Sequence, residues 1–276
     1  MKTTTWKKIA VYGILCILTV LAVYPLIWMF LSSFKTNGEF LINRFGFPRN
    51  FTLENYKNAW TKANFPAYFV NSGFTAIISL LIMLGLASMT AFAFTRYRVT
   101  CAGKLLMYFM IGQMLSAQVV LIAVYLVAIT FHMVDSLLGL ALFYAASGLP
   151  FTIFLLYGFF QTVPQELYEA AEIDGYHDFK IFSRIALPLV KPGLATALII
   201  QFMYVWNEFS LSLIVISSPE KNTLPVGIYR VVNDMYYSSH TLACAGLAIT
   251  AVPVILVYAV FQKEFIEGMA AGAVKG

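Results

Sequence analysis

Charge is what this sequence has least of. Only 11% of its 276 residues are Asp, Glu, Lys or Arg, and 60% are hydrophobic, with a mean hydropathy of +0.78. A soluble domain carries roughly 25% charged residues, so this composition excludes a soluble globular chain and leaves an integral membrane protein. Cysteine is scarcer still. Cys16, Cys101 and Cys244 lie far apart, which gives neither a disulfide framework nor a zinc spacing. His132, His177 and His240 are equally scattered, so no metal site is expected. Catalytic signatures are missing too: there is no Gly-rich phosphate loop ending in Gly-Lys-Ser/Thr, no Gly-x-Ser-x-Gly and no His-Glu-x-x-His. The chain is therefore not expected to be an enzyme or to bind ATP itself. The net charge of +5 comes from lysines and arginines that form no continuous patch, so it reads as topology rather than nucleic-acid binding.

What is present is a series of long uncharged runs. The first follows Lys2, Lys7 and Lys8 and covers residues 9–34. As a helix it would be about 39 Å long, beyond the roughly 30 Å hydrocarbon core. A cleaved signal peptide would have a shorter apolar run and a small-residue cut site, so this is taken as the first span, with Pro25 as a place for a kink. Residues 35–65 are polar and read as an external loop, with Thr52 as N-cap of a short helix around Leu53–Trp60. Further spans are expected within 63–95, 105–134 and 136–165, over about 187–216, and within 235–262. Gly148 and Pro150 suggest a bend in the fourth. The expected fold is thus all-α, with six transmembrane helices. The organisation is 1–34 as N-terminus and first span, 35–65 as external loop, 66–265 as a core of spans two to six, and 266–276 as a tail. Six spans place both termini on one side. That side holds eleven Lys and Arg against seven opposite, and the positive-inside rule makes it the cytoplasm.

One stretch cannot enter lipid. Between Pro164 and Arg184 lie Glu166, Glu169, Glu172, Asp174, Asp178, Lys180 and Arg184. One such charge at mid-bilayer costs about 2.5–3.5 kcal/mol, so together they cost roughly 20. Residues 161–188 therefore lie in water or against another protein. Thr162 suits an N-cap, Pro164 a first turn, and Asp174-Gly175 a helix end. Helical spacing puts Leu167, Ala170 and Ala171 on one face, with Glu169 and Glu172 away from it. A second short helix follows, with Phe179, Phe182 and Ala186 on one side. The plainer reading is an acidic surface helix without a partner. A second feature is Glu208, the one acid or base well inside an expected span. It either faces a cavity or holds neighbouring helices in register. Trp206 beside it suits stacking on a sugar ring or an interfacial belt.

The run Glu169-Ala170-Ala171, three residues, Gly175, nine residues, Ile185, one residue, Leu187-Pro188 resembles the EAA loop of ABC importer permeases. Nearly the whole chain is similar to the carbohydrate-uptake branch of that family, the maltose and glycerol-phosphate type. The resemblance runs through Pro25-Leu26-Ile27-Trp28, Ser33-Phe34-Lys35, Phe51-Thr52-Leu53-Glu54-Asn55-Tyr56, Asn71-Ser72, Trp206-Asn207-Glu208-Phe209, Thr223-Leu224-Pro225-Val226-Gly227 and the Gly-rich ending Gly268 through Gly276. Ala117 and Ala123 depart from it, standing where relatives often carry prolines, so a kink in the third span loses its usual support.

The resemblance implies a multi-pass permease subunit of the cell membrane that imports a sugar or oligosaccharide. It implies a coupling helix between spans four and five, with Glu169, Ala170, Ala171, Asp174, Gly175, Ile185, Leu187 and Pro188 as its docking set. It implies a cavity near Trp206, Asn207 and Glu208, and a tail contact through Gly272, Val274, Lys275 and Gly276. The implied partners are a second homologous permease subunit, a cytoplasmic ABC ATPase dimer that holds ATP and Mg, an extracellular solute-binding protein and the lipid bilayer. The alternatives are a permease for a non-sugar solute, or a gradient-driven transporter. The latter would show paired intramembrane charges or inverted repeats.

Overall fold

The computed structural model describes residues 5–61, 63–97, 99–115, 117–233 and 239–273, and every regular element among them is helical. In chain order these are α1 (Thr5–Ser33), α2 (Asn37–Ile42), α3 (Glu54–Thr61), α4 (Phe65–Arg96), α5 (Ala102–Gln113), α6 (Ala117–Thr130), α7 (Leu137–Phe160), α8 (Gln165–Ile173) and α9 (Asp178–Ile181). One π turn, Phe182–Ala186, then leads through α10 (Leu187–Leu189) to α11 (Lys191–Asn207), α12 (Ser210–Val215), a 3₁₀ turn at Pro219–Lys221, α13 (Leu224–Asn233) and α14 (His240–Ala273). Among the described residues, four helices are long and apolar enough to cross a membrane, with segments Val11–Ser33, Phe65–Arg96, Leu137–Phe160 and His240–Lys263. Counting each of two bent pairs as one span brings the number to six.

The bent pairs change two expected spans. Residues 105–134 are not one rod: Ala102–Gln113 meets Gln118–Thr130 at 98°. The kink exists without proline. Gln113 ends α5 and donates its side-chain amide to the Ser147 carbonyl of α7. Nor is 187–216 one straight helix. Asp178–Leu189 meets Lys191–Asn207 at 78°, with Pro192 in the first turn of α11, and α11 ends at Asn207 before α12 starts at Ser210. Conversely, α1 and α7 run unbroken through Pro25 and Pro150. The sixth helix outlasts its apolar stretch. It continues to Ala273, because Lys, Glu, Met and Ala are good helix formers and no proline intervenes.

The chain forms two compact units, one of Met1–Pro66 with Gly227–Val252 and one of Ala67–Val226 with Pro253–Gly276. In the first, the buried Asn55 amide donates to the carbonyls of Ser33 (2.8 Å) and Lys35 (2.7 Å) and accepts from Thr241 (3.1 Å). Lys35, counted from sequence as a loop charge, is fully buried. Its ammonium donates to the Asn43 (2.8 Å) and Arg44 (3.2 Å) carbonyls at the C-terminal end of α2, where a cation is favoured. Helix α3 begins at Glu54, and the Thr52 hydroxyl accepts the Glu54 N–H.

In the second unit the span cores are built from small residues. Ala87, Ala91 and Ala197 are fully buried and let backbones approach, as helix packing in lipid requires. Gly148 is such a position: a Cβ there would meet Met83 Sδ and Gln201 Oε1 at 2.7 Å.

Candidate functional site

The polar hairpin after α7 is seated on the second unit by one apolar cluster. Phe92 of α4, Leu106 of α5 and Leu156 and Phe160 of α7 pack with Tyr168 and Ala171 of α8 and with Ile181, Phe182 and Ala186 beyond the turn. The buried stripe of α8 is therefore Tyr168 and Ala171, three apart, and not the expected Leu167, Ala170 and Ala171. Leu167 is 43% exposed, Ala170 is exposed, and Ile173 is 88% exposed. Similarly, Phe182 and Ala186 are buried while Phe179 is exposed. The cap of α8 also differs. Pro164 takes the extended N-cap position, and the Thr162 hydroxyl turns back to the Phe159 carbonyl of α7 at 2.7 Å.

The turn matches expectation. Gly175 has φ +78°, a region open to glycine at no steric cost. The N–H groups of Gly175 and Tyr176 bond the carbonyls of Glu172 and Ala171, each at 2.9 Å, which closes α8 in a Schellman motif.

Arg96, the last residue of α4, ties the hairpin down. Its guanidinium pairs with Glu172, lies 3.8 Å from Asp178, and sits over the Tyr168 ring at 5.8 Å. The Arg96 side chain is only 11% exposed, so solvent screens this pairing less than a surface pair. Gln165 reaches the Thr95 carbonyl at 3.0 Å, and Tyr97 donates to Asp178 at 2.6 Å. Burial pushes the Tyr168 phenol up to about 12, and the hydrogen bond to Asp178 raises that of Tyr97, so both stay neutral at physiological pH. Neither Arg96 nor Tyr168 was singled out from sequence. With Arg98 and Lys104, Arg96 reads as part of a compact basic loop that signals topology, and a tyrosine among glutamates reads as surface.

The docking set thus splits by role. Glu169, Ala170 and Asp174 are exposed with Ile173 and Leu167, Ala171 is a packing residue, and Gly175 makes the turn. Ile185 and Leu187 are half-buried, and Pro188 is exposed.

At the other end of the same unit, Glu208 is not inside a helix. It closes α11 in extended conformation. Its carboxylate accepts the N–H groups of Leu211 (2.8 Å) and Ser212 (3.2 Å), capping α12, and takes the hydroxyl of the buried Tyr144 at 2.8 Å. A carboxylate is tolerated there because a helix start supplies free N–H groups. Trp206 is 3% exposed. Its ring stacks on Phe202 and meets Phe69 edge-on, so it presents no face for a sugar. Asn207 is exposed and its amide bonds the Met203 carbonyl. The three residues therefore do not share a cavity face.

Nearby, Asp135 at φ +56° clamps the loop that follows α12. It accepts the N–H groups of Ser217 and Ser218, the Ser218 hydroxyl and the Lys221 ammonium at 2.7–3.1 Å. The Lys221 ammonium, then the Ser218 groups, hold its carboxyl well below the usual carboxylate range. Asn71-Ser72, read in the sequence apart from Thr223 through Gly227, meets residues 220–224 here. Asn71 donates to the Glu220 and Asn222 carbonyls, and Ser72 accepts the Leu224 N–H.

Between these ends lies a recess of about 170 Å³ lined from α5, α7 and α11 by Gln113, Ser147, Phe151, Gln201 and Tyr204 among others. Sequence reading missed it. Its polar groups are uncharged amides and hydroxyls, which raise no alarm in an apolar run. Gly272 lies in α14, and Val274, Lys275 and Gly276 fall outside the described residues. No cluster of three or more His, Cys, Asp or Glu able to hold a metal occurs among the described residues.

Comparison with known proteins agrees with this architecture. Residues 83–266 match the family described as binding-protein-dependent transport system inner membrane component. The chain is 33% identical over 264 residues to the diacetylchitobiose uptake system permease protein NgcG of Streptomyces coelicolor, covering 95% of this chain and 87% of that one. It is 30% identical to the maltodextrin transport system permease protein MdxG of Bacillus subtilis, covering 98% and 97%. It is 32% identical to the galactooligosaccharides transport system permease protein GanQ of the same organism, covering 96% and 94%. Its fold is similar to a chain of a bacterial ABC transporter involved in import of the acidic polysaccharide alginate, with TM-score 0.85, 23% identity and coverage of 96% and 98%. On the family match and these identities, the chain belongs to the binding-protein-dependent transport system inner membrane components, as a multi-pass membrane protein.

Proposed function

We propose that this chain is one permease subunit of an ATP-driven importer that moves a sugar or oligosaccharide, handed over by an extracellular binding protein, into the cytoplasm. Both termini and the 161–188 hairpin lie on the cytoplasmic side, as the Lys and Arg balance favours. The hairpin docks on a separate ATPase subunit that supplies ATP and Mg, and a second, similar permease chain completes the pathway. One observation carries this reading. Helix α8 is locked to the end of α4 by Arg96 and by a buried aromatic cluster, yet it leaves Leu167, Ala170 and Ile173 facing outward beside Glu169. A rigid mount with an uncovered apolar and acidic face suits a lever that another protein moves as a body. The tail residues from Gly272 onward are a second contact for that partner.

The test is uptake in proteoliposomes holding the full set of subunits. Labelled oligosaccharide should enter only with ATP, the binding protein and the ATPase present. Uptake driven by an ion gradient and insensitive to vanadate would contradict it.

A further inference from the structure

We propose that the aromatic hollow at the C-terminal end of α1 binds one acidic phospholipid, with the lipid phosphate on Arg44 and the first part of an acyl chain against Tyr24 and Trp28. The hollow measures about 700 Å³ and lies wholly within the unit of Met1–Pro66 and Gly227–Val252. Tyr24 and Trp28 of α1, Phe40 of α2, Arg44 and Phe45 of the loop that follows and His240 at the start of α14 line it. Its walls are fixed from within. The Trp28 indole N–H donates to the Arg44 carbonyl at 2.8 Å, and the buried Lys35 ammonium reaches the same carbonyl at 3.2 Å. The Trp28 ring lies 5.9 Å from that of Phe40 and 6.3 Å from that of Phe45, and Phe40 lies 5.4 Å from the His240 ring.

These bonds use the backbone of Arg44 and leave its guanidinium exposed, with no ion pair among the described residues. No carboxylate lines the hollow. Glu39, the one acid of α2, is taken up by the N–H groups of Arg49 (2.6 Å) and Asn50 (3.3 Å). Arg44 therefore presents an uncompensated charge whose planar fork suits a phosphate. The exposed imidazole of His240 offers a second N–H.

Position selects a lipid over a soluble anion. Residues 11–27 of α1 form an apolar run exposed on every side, a surface that lipid covers in a bilayer. The hollow opens from that surface, since Tyr24 and Pro25 belong to both. Tyr24 and Trp28 lie nine and five residues before the end of α1, about 14 and 8 Å along the rod. The walls thus run from headgroup level, where Trp and Tyr are enriched, into the acyl region. Ile42 and Phe47, 89% and 77% exposed, flank Arg44 as side chains that rest on the same leaflet. The volume, within the roughly 300–1,000 Å³ of a ligand site, accommodates a headgroup and the start of one chain.

The experiment uses the full chain, purified from membranes in mild detergent with the subunits it retains. Native mass spectrometry measures binding of dioleoyl phosphatidylglycerol and, separately, of dioleoyl phosphatidylcholine. The unsubstituted chain should hold one phosphatidylglycerol about fivefold more tightly than phosphatidylcholine. Arg44→Gln should abolish that preference, lowering phosphatidylglycerol affinity about fivefold and leaving phosphatidylcholine within about twofold. Phe45→Ala should weaken both lipids about threefold. Both side chains are exposed, and the bonds to the Arg44 carbonyl survive either change, so the fold should hold. Arg49→Gln, an exposed basic position that does not line the hollow, should alter neither lipid beyond about twofold. Unchanged phosphatidylglycerol affinity in Arg44→Gln would overturn the site. So would equal losses in Arg44→Gln and Arg49→Gln, which would mark a diffuse surface charge. Displacement of phosphatidylglycerol by an equal concentration of glycerol phosphate would overturn lipid as the occupant. Loss of a copurifying subunit in Arg44→Gln would make the hollow a seat for another chain and overturn the lipid site too.

Discussion

Tyr144 and Tyr168 are both almost wholly buried in the same compact unit, and they are used in opposite ways. Tyr144 works through its hydroxyl, which Glu208 accepts at 2.8 Å while the same carboxylate caps α12. Tyr168 works through its ring, edge-on to Phe92 at 5.7 Å and beneath Arg96, with its hydroxyl unpartnered among the described residues. The acids differ likewise. At the end away from the hairpin Glu208 and Asp135 are consumed by internal hydrogen bonds. At the hairpin end only Glu172 and Asp178 are so used, and Glu166, Glu169 and Asp174 make no ion pair among the described residues. One end is closed on itself, and the other keeps an acidic and apolar face uncovered. That difference supports the docking role proposed for the hairpin.

The strongest way to break the comparison is to charge the seated face of α8. Ala171→Asp places a carboxylate in the cluster of Phe92, Phe160 and Phe182, at an expected cost of about 3–5 kcal/mol. Hydrogen exchange over residues 165–189 should rise sharply, whereas Ala170→Asp, one residue away on the exposed face, should leave exchange unchanged. Next in size is Glu208→Ala, which removes a helix cap and strands the Tyr144 hydroxyl, for roughly 2–4 kcal/mol read as a fall in Tm of the detergent-solubilised chain. Arg96→Met keeps the stem packed but removes the pairing with Glu172, worth about 1 kcal/mol because the Glu172 side chain is 51% exposed. It should loosen the hairpin in the exchange assay and leave the Glu208 end untouched. The smallest effect separates the two tyrosines. Tyr168→Phe should be neutral or stabilising by up to about 1 kcal/mol, since it deletes an unpartnered hydroxyl, while Tyr144→Phe should destabilise by about 1 kcal/mol.

Long uncharged runs located the four long apolar helices but not the bends in the other two expected spans, while the charges after Pro164 marked the hairpin and Asp174-Gly175 its turn. Which face of α8 is buried was not legible. Leu167 and Ala170 are apolar yet exposed, and helical spacing alone cannot tell an exposed apolar face from one that the chain buries in its own core. Glu208 drew notice as a charge in a span, yet two backbone N–H groups and a phenol had already claimed it, and that depends on a helix break no residue type announced. Lys35 was counted as a loop charge because its carbonyl partners at Asn43 and Arg44 come together only after α2 forms. Gln113 and Gln201 passed unremarked because neutral amides hardly change hydropathy, although a buried amide constrains its surroundings nearly as much as a charge.

The most direct measurement is retention of the ATPase subunit by the assembled transporter when the outward face of α8 is altered. Ile173→Asp together with Leu167→Asp should leave the permease chain in the membrane, with hairpin exchange unchanged, and should reduce copurified ATPase subunit and ATP-driven uptake at least tenfold. Full retention of the ATPase subunit and normal uptake with both substitutions in place would contradict the docking of this face.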